Sequence, residues 1–171
     1  MEQLKILPGK PLPLGAELSY EGVNFSVFSR NGTRVILNLF SNSDDSNPCE
    51  SIELDPKVNK TGDIWHVFVK GLKAGALYLY QVDGPFEPSE GHRFNVNQFL
   101  LDPYAKCLTS VSFFENLPPN YKTPVDKIDI ELSKNRGLMK FPKCIVVDDN
   151  AFNWEDDKTI NRPLKDSIIY E

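Results

Sequence analysis

The strongest constraint in this sequence is a series of short segments in which apolar and polar residues alternate. In "GVNFSVFS", Val23, Phe25 and Val27 fall on one side and Asn24 and Ser26 on the other. A period of two belongs to a β-strand, whose successive side chains point to opposite faces. "RNGTRVILNLFS" opens with Asn31-Gly32, a hairpin-turn signal, and then puts Val35, Leu37 and Leu39 on one face. A polar loop, "SNSDDSNPCE", leads to a short strand "SIEL". "GDIWHVFVKGL" opposes Trp65, Val67 and Val69 to His66 and Phe68. "KAGALYLYQVDGP" opposes Tyr78, Tyr80 and Val82 to Leu77, Leu79 and Gln81. Short strands broken by Gly, Asn and Pro at roughly ten-residue spacing predict an all-β, two-sheet sandwich.

The pattern changes after Pro85. "FEPSEGHRFNVNQFLLDPY" reads as a long loop with buried aromatics, and "AKCLTSVSFF" as a closing strand. A Pro-interrupted stretch follows, with one short helix expected near 125–134, and "CIVVD" reads as a last short strand. The division expected is a sandwich over 1–110, an irregular insertion with a short closing strand over 111–147, and an irregular C-terminal connector over 148–171. The connector delivers the chain to "SIIYE", where Ile168, Ile169 and Tyr170 read as a strand that needs a partner.

The 171 residues are 40% hydrophobic and 11% aromatic, enough for a packed core and against wholesale disorder. The net charge of −5 is uneven: from Asp148 to Glu171 seven acids face three bases. No basic stripe exists, which argues against nucleic acid and anionic membranes as partners. No apolar run has transmembrane length, and the N-terminus lacks the pattern of a signal peptide. Cys49, Cys107 and Cys144 are scattered and form no CxxC, which predicts reduced thiols and a cytoplasmic location. Without a secretion signal, the glycosylation-type triplets at Asn24, Asn31 and Asn59 carry little weight.

No catalytic constellation stands out. His66 lies on a strand beside Trp65 and reads as structural, as does Trp65 itself, a core residue by position. His92 lies in a loop. No metal-ligand spacing, nucleophile elbow, phosphate loop or dinucleotide fingerprint is present, so neither metal nor cofactor is expected. The carboxylates at 148–149 and 155–157 sit on the connector and read as a solvated face, not as the opposed pair that glycoside hydrolysis needs.

Three stretches together resemble a known family: "GVNFSVFSRNGTRVILNLFS", "WHVFVKGLKAGALYLYQVDGPFEPSEGHRFNVNQFLLDPYAK" and "KCIVVDDNAFNW…RPLKDSIIYE". They are similar to the N-terminal region of isoamylase-type glycogen debranching enzymes, members of the α-amylase superfamily. The resemblance implies an immunoglobulin-like β-sandwich of the glycogen- and starch-binding type, placed before a catalytic (β/α)₈ barrel. It implies that "DSIIYE" leads into the first barrel strand, so that the chain is expected to end at the threshold of a barrel it lacks. The family's catalytic carboxylates match no residue here, and the chain itself is expected to be inactive.

Sugar rings pack their C–H faces on exposed aromatics while nearby polar groups bond their hydroxyls. Related modules that grip glycogen carry a Trp after the strand matching "VILNLF" and another after "VDG"; this chain has no aromatic in "SNSDDSNP" and offers Phe86 at the second place, with Glu87 and Glu90 beside it. The lack of an Asn-x-Trp motif after "VILNLF" also disfavours a branching-enzyme parent. The alternative is that Phe86 and Phe94 pack the loop, or would pack against the missing barrel. Asp83, Arg93 and Asp102 are expected to form a charged cluster fixing the loop to the sandwich. The leading function is a non-catalytic domain of an α-1,6-cleaving debranching hydrolase, packing against the barrel and shaping the α-glucan site. A free-standing α-glucan-binding module and a protein-interaction sandwich are the competing classes. A surface built for the barrel predicts an exposed apolar patch, through which the chain is expected to dimerise.

Overall fold

The computed structural model describes residues 4–109, 142–168 and 170. In chain order the strands are β1 (Lys5–Pro8), β2 (Gly15–Ser19), β3 (Gly22–Phe28), β4 (Arg34–Phe40), β5 (Glu50–Glu53), β6 (Lys60–Thr61), β7 (Ile64–Lys70), β8 (Leu77–Asp83), β9 (Phe86–Glu87), β10 (His92–Arg93) and β11 (Cys144–Ile145). They form two main antiparallel sheets. The first runs β1-β7-β3-β2, with β6 on the end of β7; the second runs β11-β8-β4-β5. β9 and β10 make a separate small hairpin.

The alternating residues face as the pattern requires. Val23, Phe25 and Val27 lie opposite Val69, Val67 and Trp65 in register. In the second sheet Val35, Leu37 and Leu39 lie opposite Val82, Tyr80 and Tyr78. All twelve are buried, and the edge of Phe25 meets Tyr78 with ring centroids 4.9 Å apart. Burying twelve large apolar side chains between two sheets supplies the main driving force of the fold. Cys144 and Val146 join this core, so the sandwich includes a strand from the far side of residues 110–141. Segment 107–109 pairs with it through Ile145 N–H to Cys107 O and Thr109 N–H to Lys143 O. This is the start of the expected closing strand "AKCLTSVSFF"; its remainder and the helix expected near 125–134 lie outside the described residues.

The hairpin expected at Asn31-Gly32 does not form. β3 pairs with β2 and β7, and β4 with β5 and β8, so the chain crosses between sheets there. Gly32 answers a packing demand instead: a Cβ on it would sit 2.5 Å from Ser29 Oγ and 3.1 Å from Val82 Cγ1. β1 and β2, which the alternation does not reveal, flank the first sheet.

The polar faces are buried too, which a half-solvated sheet would not require. On the first sheet, the Asn24 amide donates to Lys10 O and accepts from Lys10 N–H, and Ser26 Oγ donates to Pro11 O. These bonds pin segment 9–13 across the outer face. On the second sheet, Ser51 Oγ donates to Asn38 Oδ1, Asn38 Nδ2 donates to Gln81 Oε1, and Gln81 Nε2 donates to Val96 O. That chain of bonds crosses three strands and holds segment 94–102 over the sheet, where Leu100 and Tyr80 exchange backbone bonds and Phe99 packs on Phe40.

Beyond Asp148 no strand occurs among the described residues. A short 3-10 turn spans Leu164–Asp166, and Ile168 and Tyr170 stand 98% and 96% exposed. Trp65 is a core residue, as expected, and its indole N–H donates to Ser29 O at 3.1 Å. Trp65→Ala should therefore lower the unfolding free energy by about 3–5 kcal/mol; urea denaturation of the two proteins checks this, and a loss under ~1 kcal/mol would contradict the packing described.

Candidate functional site

The segment after β8 is built on two local devices. Asp83 Oδ1 accepts the Gly84 N–H at 3.0 Å, capping the end of the strand. A Cβ on Gly84 would lie 2.7 Å from Phe94 Cγ, so the Phe94 ring rests directly on that residue. Phe94 thus packs the loop. Phe86 does not share this role: it is 45% exposed.

Between them β9 and β10 form a hairpin arm, joined by the turn Pro88–Glu90. Its register sets Phe86 opposite Arg93 and Glu87 opposite His92. Directly opposed residues share a face, so the arm sets Arg93 on the face of Phe86 and His92 with Glu87 on the reverse. Glu87 and Glu90 are exposed, Glu90 on the turn. The grouping of Phe86 with both glutamates is therefore divided, and Arg93 joins Phe86. The signal for this was Gly91, closing a four-residue hairpin loop after Pro88. Beside the arm, segment 94–100 folds back on β8 and leaves a cleft of ≈ 270 Å³, lined by Val82, Arg93, Phe94, Asn95, Gln98 and Leu100.

Asp102 does not stand with Asp83. It is buried, accepting Tyr78 Oη–H at 2.8 Å and Tyr104 N–H at 2.8 Å, while its own N–H approaches Cys144 Sγ at 3.3 Å. Tyr78 is the second residue of β8 and Asp83 its last, about 17 Å apart along an extended strand. The expected three-residue cluster is thus spread over two ends of β8, because Asp102 serves the rim of the core. Burial holds its carboxyl above the ordinary carboxylate range, against the two hydrogen bonds it accepts. Burial also drives the Tyr78 hydroxyl far above its usual range and pushes the Cys144 thiol up to about 11.

The other sequence candidates are structural. His66 is buried; its Nε2 bonds Thr61 Oγ1 at 2.9 Å, and burial lowers its pKa. Asn24 and Asn59 are buried; both amide atoms of Asn24 bond the Lys10 backbone, and Asn59 Oδ1 accepts the Asp55 N–H. The three cysteines are free thiols, Cys49 and Cys107 exposed and Cys144 buried. Asp149 pairs with Lys106, which also lies 3.8 Å from Glu17. The loop "SNSDDSNP" is held from below by Lys143, whose Nζ donates to Ser43 O and lies over the Phe40 ring. Among the described residues, no helix is long and apolar enough to cross a membrane, and no His, Cys, Asp and Glu cluster could hold a metal.

Such a surface offers an exposed aromatic with Arg93 on its face and the polar side chains of Asn95 and Gln98 in the adjoining cleft. It is suited to bind and orient a polyhydroxylated ligand; it contains no nucleophile–base pair.

Residues 13–105 match the family described as carbohydrate-binding module 48, the isoamylase N-terminal domain. Isoamylase 1, chloroplastic, of Arabidopsis thaliana is 38% identical over 169 residues, covering 97% of this chain and 20% of that protein. The glycogen debranching enzyme of Serratia proteamaculans is 37% identical over 168 residues, covering 98% of this chain and 23% of its own. The chain thus spans about a fifth of the length of the curated relatives it matches. Among solved structures, the catalytic module of the pneumococcal glycogen-degrading factor SpuA matches with a TM-score of 0.50 at 20% identity, over 82% of this chain and 17% of that one; it supports the fold alone.

The raised Asp102 pKa has a pH signature. Between the ordinary and the raised value the folded state keeps a proton that the unfolded chain has released, so the stability from this group falls as pH rises through that window. Asp102→Asn removes the titration. Its unfolding free energy relative to the parent should improve as pH goes from about 4 to about 8; a difference that stays constant with pH would mean the carboxyl titrates normally.

Proposed function

The chain belongs to the carbohydrate-binding module 48 family, the isoamylase N-terminal domain, and on that premise we propose that it is the non-catalytic N-terminal domain of a glycogen-debranching hydrolase acting on α-1,6 bonds. Its work is to hold α-glucan near the catalytic domain and to pack against that domain. The observation that carries the sugar-contact half is the arm that sets exposed Phe86 across from Arg93, which in turn lines a cleft with Asn95 and Gln98. A glucose ring lays its C–H face on the phenyl ring, and the guanidinium and amides bond its hydroxyls. Held on the same polypeptide as a barrel, even a weak contact raises the local concentration of glucan chains at the catalytic centre.

The packing half is supported by residues 151–170. Phe152, Trp154, Ile160, Leu164, Ile168 and Tyr170 are each at least 67% exposed, with Phe152 and Trp154 paired edge to face. Apolar side chains in that number ask for a protein surface to cover them. In the isolated chain they favour self-association. A cytoplasmic location belongs to the same proposal, supported by the three free thiols.

Three measurements bear on this reading. Calorimetric titration with maltoheptaose should give an affinity that Phe86→Ala weakens roughly three- to tenfold; equal affinities, or none in either protein, would remove the sugar contact. Incubated with glycogen or amylopectin, the purified chain should release no linear chains, and any turnover would overturn the non-catalytic assignment. Light scattering after size exclusion should show a concentration-dependent dimer that Trp154→Asp and Ile168→Asp together dissociate; a strict monomer would count against the packing surface.

A further inference from the structure

We propose that the chain carries a second α-glucan contact, a groove across the outer face of the first sheet, on a different sheet from the hairpin arm. The ligand class rests on the function proposed above; the groove itself rests on geometry.

One transverse row of residues floors it. Leu7, Phe68, Asn24 and Glu17 are register partners across β1, β7, β3 and β2. Residues paired across a sheet share a face. The neighbouring row, through Val69 and Val23, points into the core, so this one points out. One wall is the segment from Pro8 to Pro13, held down by the Asn24 amide on Lys10 and by Ser26 on Pro11. Gly9 lets that segment lie so close: a Cβ there would meet Asn24 Oδ1 and the Val67 backbone at 2.7 Å. The opposite rim is the turn after β2, with Ser19 and Glu21 lining the groove and the 105%-exposed Tyr20 between them. The open groove has a volume of ≈ 470 Å³, inside the range of small-ligand sites.

The chemistry of the lining selects the occupant. Leu12, Pro8, Pro13 and the Phe68 ring offer apolar surface, and Leu12 is 63% exposed. Glu17 and Glu21 are acceptor-only groups, with 48% and 66% of their side chains in solvent. An anion finds no net positive site, since the one further cation of the lining, Lys10, faces two carboxylates. A cation finds their charge already offset, since Lys106 lies 3.8 Å from Glu17 and Lys70 3.4 Å from Glu21. What gains on both walls is a neutral ligand with apolar C–H faces and many O–H donors. A short run of α-glucan has that character. Two contacts on different sheets would let one domain engage two branches of one polymer, or two points on one chain, and so bind it more tightly than either contact alone.

Isotope-labelled chain titrated with maltoheptaose, read by amide chemical shifts, separates the two sites. Ser19, Glu21 and Asn24 amides should shift in the parent and equally in Phe86→Ala. Glu17→Gln with Glu21→Gln should weaken that set roughly tenfold while leaving the Phe86 and Arg93 response intact. Tyr20→Ala, a change at a fully exposed side chain, gives a second handle and should weaken the same set. Silent groove amides with a responding hairpin would overturn this proposal and leave the hairpin contact standing. Groove shifts that vanish in Phe86→Ala would also overturn it, by showing a single site. A responding groove with a silent hairpin would support it and remove the Phe86 contact. Silence everywhere would remove both.

Discussion

Both sheets of this sandwich are covered on their outer faces by the chain's own irregular segments, and a few buried polar side chains hold those covers in place. Asn24 and Ser26 hold segment 9–13; Asn38 and Gln81 hold segment 94–102. A buried amide left without partners costs about 1–3 kcal/mol, so these residues commit the covering segments as firmly as the segments commit them. Everything exposed on the two faces takes its position from these pins.

The two candidate contacts are products of the covers. The first cover leaves a groove beside it because it crosses the sheet at one end only, and the row from Leu7 to Glu17 stays open. The second leaves a cleft where it departs from β8, and the hairpin arm stands at that departure with Phe86 and Arg93 side by side. A sandwich needs no such segments to be stable, but a rigid scaffold with surface segments pinned on it is where binding groups are commonly found. The rim of the core adds a third cluster, Tyr78, Asp102 and Cys144, whose buried carboxyl ties segment 102–104 to β8 and trades some stability near neutral pH for that tie.

Much of the fold was legible. Four alternating runs named the residues that share a face in β3, β4, β7 and β8, because a strand has a period of two. β1 and β2 escaped, since "KILP" and "GAELS" carry too few apolar residues for a pattern and are strands through their neighbours' hydrogen bonds. Asn31-Gly32 misled because the same dipeptide serves a hairpin and a crossing between sheets, and only packing against Ser29 and Val82 decides which. At the site, Phe86 was visible as an aromatic in a polar loop. Its pairing with Arg93 and the removal of Asp102 to the far end of β8 were not, since both depend on register.

The sequence by itself determined the class of fold, the residues that share a face within each long strand, and the family, because each follows from local order along the chain. Tertiary structure alone decided which strands are neighbours, which polar residues are pins, and which surface residues meet. Those outcomes rest on contacts between segments far apart in sequence, such as Ser26 with Pro11, Gln81 with Val96 and Cys144 with Asp102, and a contact of that kind leaves no periodic trace in either partner.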